Sequence, residues 1–173
     1  MATTLVLGGA RSGKTGYAQT QARALSDTPR MIVTAQAFDD EMTHRIDRHR
    51  VDRGEAWTTV EAPLDLVPAI RDLSSSDVAV IDCLTLWLSN LMAAGRDIEA
   101  ARNAMVDAVV SCRADLWLVS NEVGWGIVPD NALARRFRDE AGWLHQSLAR
   151  VADEVVLVVA GLPLPLKGPA TGA

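Results

Sequence analysis

The feature that most constrains the fold is an apolar run that leads into a glycine-rich loop and then into a helical pattern. The run TLVLGG covers Thr4–Gly9, and the loop GGARSGKT, from Gly8 to Thr15, matches G-x-x-x-x-G-K-[ST]. A helical pattern over Lys14–Leu25 follows directly. Glycines in this setting let backbone N–H groups surround phosphate oxygens at a helix N-terminus. The sequence therefore predicts a strand, a phosphate-binding loop and a helix, and hence nucleotide binding.

The loop and one later acid have separate predicted roles. Lys14 reaches the β and γ phosphates, and Thr15 offers its hydroxyl to Mg²⁺. Asp82 lies at the end of the apolar run VAVIDC, where a phosphate-loop protein places the acid that holds magnesium or its water; a plain turn residue is the alternative. Thr15 and Asp82 are thus the predicted metal-side residues. The predicted nucleotide-binding residues of the loop are Gly8, Gly9, Ala10, Arg11, Ser12, Gly13, Lys14 and Thr15.

The rest of the chain alternates β-type and helical patterns. Nearly continuous apolar runs cover Arg30–Ala35, Val78–Cys83, Leu116–Asn121 and Glu154–Gly161. A short strand or edge segment is predicted at Trp57–Pro63. Further helical patterns cover Asp39–Arg53, Leu64–Leu73, Leu84–Ala94, Ile98–Arg113 and Asn131–Val151.

This alternation predicts the fold class. Strands without polar alternation are buried on both faces, and alternating β and α elements form a sheet with right-handed crossovers. We therefore expect an α/β fold with a mostly parallel central sheet flanked by helices. The chain is predicted to form one nucleotide-binding domain over residues 1–168, with a frayed tail over 169–173.

Composition limits the function classes. The 173 residues carry a net charge of −5, which argues against binding to nucleic acid or to an anionic membrane. The most apolar segment, Val155–Leu166, is too short and too interrupted by proline to span a bilayer. Cys83 and Cys112 lack metal-binding spacing, which predicts two buried, reduced thiols. No secretory signal pattern is visible, so we expect a cytoplasmic protein.

A basic stretch, HRIDRHRVDRG from His44 to Gly54, raises a separate question. In a helix over 39–53, Arg45, His49 and Arg53 share one face. This stripe can bind a triphosphate and keep the histidine neutral and nucleophilic, because nearby positive charge disfavours imidazolium. It can equally be a solvated polar helix with Arg–Asp pairs. Spacing alone favours the solvated interpretation.

The motifs together resemble one family, the bifunctional adenosylcobinamide kinase/adenosylcobinamide-phosphate guanylyltransferases of cobalamin biosynthesis. The matching segments extend along nearly the whole chain, and GGARSGK and NEVGxGIVP are far more specific than a phosphate loop alone. The segments are GGARSGKT, TAQAFDDEM (Thr34–Met42), RIDRHRVDR (Arg45–Arg53), WTTVEAP (Trp57–Pro63), DCLTLWLSN (Asp82–Asn90), VSNEVGWGIVP (Val119–Pro129), ARRFRDEAG (Ala134–Gly142) and VVAGLPLPLKG (Val158–Gly168).

The resemblance implies a two-step chemistry. A nucleoside triphosphate, ATP or GTP, first phosphorylates the hydroxyl of the aminopropanol arm of adenosylcobinamide. GTP then guanylylates a histidine, and GMP passes from it to cobinamide phosphate, giving adenosylcobinamide-GDP. The histidine of the family's R-I-x-x-H pattern maps onto His49 and not onto His44. The resemblance also implies nucleotide contacts at Thr34, Ala35, Gln36, Arg50, Val51, Asp52, Arg53 and Glu61.

The resemblance further implies a RecA-like P-loop fold, a corrinoid substrate and a homotrimer with its site near a subunit boundary. This chain departs from some members at two positions. Asp82 replaces a glutamate, which keeps a carboxylate, and His145 replaces an asparagine. We interpret His145 as a surface or packing variant, with a role as a second acceptor histidine as the alternative.

Other positions have open interpretations. The loop NEVGWGIVP, with an expected exposed Trp125, either contacts the corrinoid or is a plain turn. Trp87, Trp117 and Trp143 are interpreted as core or subunit contacts. Three late arginines are helix-surface charges or phosphate contacts, and these are Arg135, Arg136 and Arg138.

Two other functions compete with the bifunctional enzyme. A small-molecule P-loop kinase without a covalent step would not need His49 as a nucleophile. A non-catalytic regulatory P-loop module is disfavoured, because the guanine-reading NKxD motif of regulatory GTPases is absent.

Overall fold

A seven-stranded sheet forms the centre of the protein. The computed structural model describes residues 1–36 and 56–168. The strands are β1 Thr3–Gly8, β2 Arg30–Val33, β3 Thr58–Glu61, β4 Val78–Asp82, β5 Asp115–Asn121, β6 Glu154–Val159 and β7 Leu162–Lys167. The helices are α1 Lys14–Leu25, α2 Leu66–Arg71, α3 Leu84–Ala93, α4 Ile98–Ser111 and α5 Ala132–Val151.

The strand order is β3-β2-β4-β5-β1-β6-β7. All neighbouring strands pair in parallel except β6 and β7, which are antiparallel. The carboxyl ends of the six parallel strands therefore meet at one edge of the sheet, which we call the carboxyl edge. This is the position at which open α/β sheets bind ligands. The predicted α/β fold with a mostly parallel sheet is confirmed.

Both faces of the sheet are buried at its central strands. On β1, Leu5 and Leu7 belong to the apolar cluster beneath α2 to α5, whereas Val6 belongs to a second cluster that includes Ala18 and Ala22 of α1. The strands β4 and β5 divide their side chains in the same way. Successive side chains on a strand point to opposite faces, so strands covered on both sides need apolar residues at every position. The continuous apolar runs in the sequence follow from this arrangement.

Strand β7 was not predicted. The expected strand Glu154–Gly161 ends at Val159, and the chain turns at Ala160 and Gly161 to run back along β6. Its two prolines, Pro163 and Pro165, made this segment look like a break in the apolar run. Proline is tolerated here because β7 is the last strand of the sheet and its outer side has no partner strand among the described residues.

Other expectations concern the two cysteines, the segments at 39–53 and 169–173, and membrane-spanning helices. Cys83 is buried and Cys112 is half-buried, and both are free thiols, so burial is confirmed only for Cys83. The helix predicted at 39–53 and the tail at 169–173 lie outside the described residues. None of the helices within residues 1–36 and 56–168 has the length and apolar character needed to cross a membrane.

One buried side chain, Asn90 of α3, joins the ends of two strands. Its Nδ2 donates hydrogen bonds to the carbonyl oxygens of Thr34, at 2.8 Å, and Pro63, at 2.9 Å. Thr34 follows β2 and Pro63 follows β3, so Asn90 fixes both connections at the carboxyl edge.

We expect Asn90→Ala to lower the free energy of unfolding by about 1–3 kcal/mol, because it leaves two carbonyl groups without their donor. Asn103→Ala, at an exposed position of α4, is the matched control and should change stability by less than about 0.5 kcal/mol. Chemical denaturation of the three proteins checks this. Equal losses in both variants would contradict the structural role of Asn90.

Candidate functional site

The phosphate loop lies between β1 and α1 and is closed by two glycines. A Cβ on Gly8 would lie 2.5 Å from Ser12 Oγ and 2.6 Å from the carbonyl oxygen of Val158, distances that atoms cannot adopt. Gly13 has φ of 95°, which favours glycine, and it caps α1 without a side-chain hydrogen bond. The first N–H groups of α1 therefore have no competing side-chain cap from Gly13, as phosphate binding at a helix N-terminus requires.

Lys14 is directed along this loop. It is 8% exposed, and its Nζ donates a hydrogen bond to the carbonyl oxygen of Gly9 at 3.0 Å. Ser12 Oγ is buried and has no hydrogen-bond partner among the described residues. The ammonium group thus lies inside the curve of the loop, where the β and γ phosphates of a nucleotide would lie.

The turn between β6 and β7 supports the loop from beneath. Ala160 and Gly161 both have positive φ, 52° and 81°, as in a tight two-residue hairpin. The Gly161 N–H donates to the carbonyl oxygen of Ser12 at 2.8 Å. The Cα of Gly161 would lie 3.1 Å from a Cβ on Gly13. This hairpin turn therefore contacts the phosphate loop at both Ser12 and Gly13.

Thr15 and Asp82 provide a donor set that fits magnesium. Thr15 lies in the first turn of α1, and Asp82 ends β4, two strands away from β1, which corresponds to about 10 Å between strand axes. Within the described part of the chain, no group of three His, Cys, Asp or Glu residues is placed to hold a metal ion. Mg²⁺ in nucleotide sites takes one or two carboxylates and completes its shell with substrate phosphates and water. One carboxylate and one hydroxyl therefore suit a metal that arrives with the nucleotide.

Other predicted nucleotide contacts are spread along the carboxyl edge. Thr34, Ala35 and Gln36 follow β2, and Glu61 ends β3. β3 is four strands from β1, which corresponds to about 19 Å. Glu61 also borders a cavity of about 390 Å³ beside β3 and α2. The structure thus places Glu61 on the same edge as the phosphate loop but far from the phosphates.

The hydroxyl group of Thr34 is hydrogen-bonded to the backbone of Cys83. It is fully buried, donates to the carbonyl oxygen of Cys83 at 2.7 Å and accepts from the Cys83 N–H at 2.9 Å. Burial raises the pKa of the Cys83 thiol, which keeps it protonated. These contacts hold β2 against the end of β4. A nucleotide contact at Thr34 stays a prediction.

A polar cluster at the end of β5 was not predicted from the sequence. Ser120 Oγ lies 2.7 Å from His145 Nε2, and His145 Nδ1 lies 3.9 Å from Glu122 Oε2. His145 is only 6% exposed, so the packing interpretation is supported and the surface interpretation is wrong. Its burial and its contact with Ser120 make it unsuited to accept a guanylyl group. The only signal in the sequence was the run of three polar residues SNE at the end of the apolar strand.

The loop after β5 and the start of α5 meet around Arg135. The Nη1 atom of Arg135 donates to the carbonyl oxygens of Pro129 and Asp130, each at 2.8 Å. Arg136 and Arg138 form ion pairs with Glu140 and Asp139, respectively, which supports their interpretation as helix-surface charges.

The tryptophans separate into two groups. Trp87 and Trp117 are core residues, as predicted, and Trp125 is exposed, as predicted. Trp143 is 52% exposed and contacts the guanidinium group of Arg102 instead of the core. A subunit contact at Trp143 stays a prediction.

Five of the predicted site residues lie outside the described residues. They are His49, Arg50, Val51, Asp52 and Arg53. The chain leaves the described part after Gln36, at the carboxyl edge, and re-enters it at Ala56.

Comparison with known proteins gives consistent results. Residues 4–166 match the family described as cobinamide kinase / cobinamide phosphate guanyltransferase. The bifunctional adenosylcobalamin biosynthesis protein CobP of Pseudomonas aeruginosa is 44% identical over 167 residues, covering 95% of this chain and 96% of the relative. The bifunctional adenosylcobalamin biosynthesis protein CobU of Escherichia coli is 40% identical, covering 94% of this chain and 98% of the relative.

Solved structures of more distant proteins share the fold. The P4 protein from bacteriophage phi6, in complex with ADP, has a TM-score of 0.51 and 13% identity, with 94% of this chain covering 52% of the phage chain. The RadB recombinase has the same TM-score and identity, with coverage of 90% and 73%. These neighbours support the predicted P-loop architecture.

We expect Gly161→Ala to weaken nucleotide binding. A side chain at φ of 81° is strained, and relief of that strain moves the N–H that holds Ser12. We expect about a 10-fold weaker affinity for Mg·GTP by calorimetry, which corresponds to about 1.4 kcal/mol. Gly95→Ala is the matched control, because Gly95 has φ of 64° with no atoms near its Cβ position. Equal affinities in the two variants would show that the turn does not support the loop.

Proposed function

We propose that this chain, which belongs to the cobinamide kinase / cobinamide phosphate guanyltransferase family, catalyses two successive transfers at the carboxyl edge of its sheet. In the first, ATP or GTP phosphorylates the hydroxyl of adenosylcobinamide. In the second, GMP passes from GTP through a guanylyl-histidine to cobinamide phosphate, giving adenosylcobinamide-GDP. The observation that carries the proposal is the closed phosphate loop, with the Lys14 ammonium group inside it and Asp82 on the same edge.

The kinase step uses the loop as a fixed cradle. The backbone N–H groups at the start of α1 and the Lys14 ammonium group hold the β and γ phosphates and offset the charge that develops during transfer. Thr15 and Asp82 would hold Mg²⁺, which when bound would offset the negative charge of the phosphates. The substrate oxygen bonds to the γ phosphorus, and the bond from this phosphorus to the β–γ bridging oxygen breaks.

The guanylyl step needs a nucleophile that the loop does not contain. We assign this role to His49, on the sequence pattern R-I-x-x-H. A ring nitrogen of the histidine attacks the α phosphorus of GTP, and pyrophosphate leaves. A phosphate oxygen of the cobinamide phosphate then attacks the same phosphorus and releases the histidine. Four neighbours of His49 are proposed to contact GTP, namely Arg50, Val51, Asp52 and Arg53.

The positions along the carboxyl edge support a shared nucleotide site. With its phosphates on the loop, a nucleotide that lies along the edge extends past β5 and β4 toward β2 and β3. Ala35, Gln36 and Glu61 would then contact its nucleoside end. The alternative is a small-molecule kinase with the same phosphate loop but no covalent step, and only the chemistry at His49 separates the two.

The partner proposals follow the same reasoning. The corrinoid is the proposed substrate, and the exposed loop with Trp125 and Ile127 is its proposed contact next to the phosphate loop. A homotrimer in the cytoplasm is also proposed. Leu162, Leu164 and Leu166 of β7 are all more than half exposed, as an apolar subunit contact requires.

We expect one guanylyl group to appear on the wild-type protein after incubation with GTP and Mg²⁺. The adduct should be labile in acid and stable in base, as a phosphoramidate is. His49→Ala should abolish it and keep kinase activity, whereas His44→Ala, the matched control, should form it normally. Intact-mass spectrometry provides the measurement. An unmodified wild-type mass would refute the covalent step and favour the simple kinase.

We expect Lys14→Ala to weaken Mg·GTP and Mg·ATP binding at least about 10-fold, because the ammonium group offsets phosphate charge in a buried position. Arg96→Ala removes an equal charge from the exposed surface and serves as the control. Calorimetry of both variants with both nucleotides tests whether one loop serves both half-reactions. Affinity that Lys14→Ala leaves unchanged for one nucleotide would indicate separate sites.

A further inference from the structure

The cluster at the end of β5 carries an inference that rests on the proposed kinase step. We propose that Glu122 is the general base that accepts the proton of the substrate hydroxyl, and that Ser120 and His145 position its carboxylate. The roles proposed above for the phosphate loop, Thr15 and Asp82 are toward phosphates and metal. The proton of the substrate hydroxyl has no acceptor among these roles, so the step needs a further one.

Glu122 lies at the carboxyl edge, directly after β5. β5 lies between β1, which carries the phosphate loop, and β4, which carries Asp82. Asn121 is the register partner of Gly8, and the N–H of Glu122 donates to the carbonyl oxygen of Gly8 at 3.0 Å. Glu122 therefore leaves the sheet directly beside the start of the phosphate loop. An acceptor of the attacking hydroxyl's proton has to lie close to the transferred phosphate.

The two carboxylate oxygens of Glu122 have different surroundings. Oε1 accepts hydrogen bonds from the N–H groups of Val123, at 3.2 Å, and Gly124, at 3.4 Å. Oε2 faces the imidazole of His145, 3.9 Å away, and the side chain retains 24% exposure. One oxygen thus anchors the carboxylate to its own loop. The other keeps capacity to accept a proton.

The protonation of His145 matters because its imidazole faces the Glu122 carboxylate. Burial lowers the pKa of this histidine, and the Glu122 charge, which acts in the opposite direction, does not reverse the effect. A neutral imidazole that accepts from the Ser120 hydroxyl at Nε2 carries its own proton on Nδ1, on the side of Glu122. Glu122 is the charged group that acts on His145 among the described residues. The Glu122 carboxylate therefore faces a neutral imidazole and not an imidazolium.

The same cluster does not fit a hydrolytic serine–histidine–acid triad. Ser120 is fully buried, so its hydroxyl cannot meet an external substrate. Beyond Glu122 the chain exposes Trp125, Ile127 and Val128, which are 75%, 97% and 62% exposed. Glu122 thus lies between this apolar surface and the phosphate loop. The short hydroxyl arm of a large substrate bound on the apolar surface would pass Glu122 on its way to the phosphates.

In the proposed step, the substrate O–H bond breaks as its proton moves to Glu122 Oε2, and the oxygen forms a bond to the γ phosphorus. The bond between the γ phosphorus and the β–γ bridging oxygen breaks, and the nucleoside diphosphate leaves with the electron pair. Glu122 then returns its proton to water.

The test is a comparison of Glu122→Gln with the wild type in the phosphorylation of adenosylcobinamide by Mg·ATP and Mg·GTP. We expect kcat to fall at least about 100-fold, the usual contribution of a general base. Nucleotide affinity and self-guanylylation by GTP should be retained. Glu99→Gln, at an exposed position of α4, should match the wild type.

The pH profile separates catalysis from structure. The acidic limb of the wild-type kcat profile should be absent in Glu122→Gln, because an amide cannot accept the proton. His145→Asn and Ser120→Ala keep the carboxylate, so we expect a smaller loss, of about 10-fold, and an acidic limb that is retained but displaced.

Two results would overturn the proposal. One is wild-type kcat with an unchanged acidic limb in Glu122→Gln. The other is a parallel loss of nucleotide affinity, self-guanylylation and kinase activity in that variant, since this would indicate a structural role. A wild-type enzyme that fails to phosphorylate adenosylcobinamide would refute the kinase step itself, and this result appears without any variant.

Discussion

The close approach of the phosphate loop to β6 is the constraint on which the site depends. The loop folds over the end of β1 so tightly that Gly8 meets both Ser12 and the backbone of Val158. Any side chain at Gly8 would lift the loop, and with it the N–H groups of α1 and the Lys14 ammonium group. A phosphate cradle in this fold therefore requires contact with the strand on the far side of β1. The glycine at position 8 and the position of β6 beside β1 are therefore needed together.

The carboxyl edge divides the remaining chemistry among its strands. Asp82 ends β4, Glu122 follows β5 and faces the buried His145 of α5, and the connection after β2 leads into the segment that contains His49. The connections themselves are fixed by buried polar contacts, as Asn90 shows between Thr34 and Pro63. A parallel sheet collects distant parts of the chain at one edge, which is what the proposed nucleotide site shared by the two transfers requires.

The fold and the phosphate loop are predictable from the sequence because each depends on local pattern. Continuous apolar runs indicate doubly covered strands, and the glycine and lysine spacing of residues 8–15 indicates the loop. Strand β7 escapes prediction because Pro163 and Pro165 suggest a break, and only the edge position makes them acceptable. The contact between Ser120 and His145 escapes it because the two residues are 25 positions apart and meet only through packing of α5 on the sheet.

The hairpin turn at Ala160 and Gly161 contacts a loop that is synthesised much earlier. The phosphate loop at residues 8–13 precedes it by most of the described chain, and the Ser12 carbonyl group meets its partner only when Gly161 has been made. A partly synthesised chain therefore contains the complete loop sequence without the support that shapes it. We therefore expect the loop to take its supported shape once β6 and β7 have joined the sheet, and a bound nucleotide would favour the completed fold over its shorter precursors.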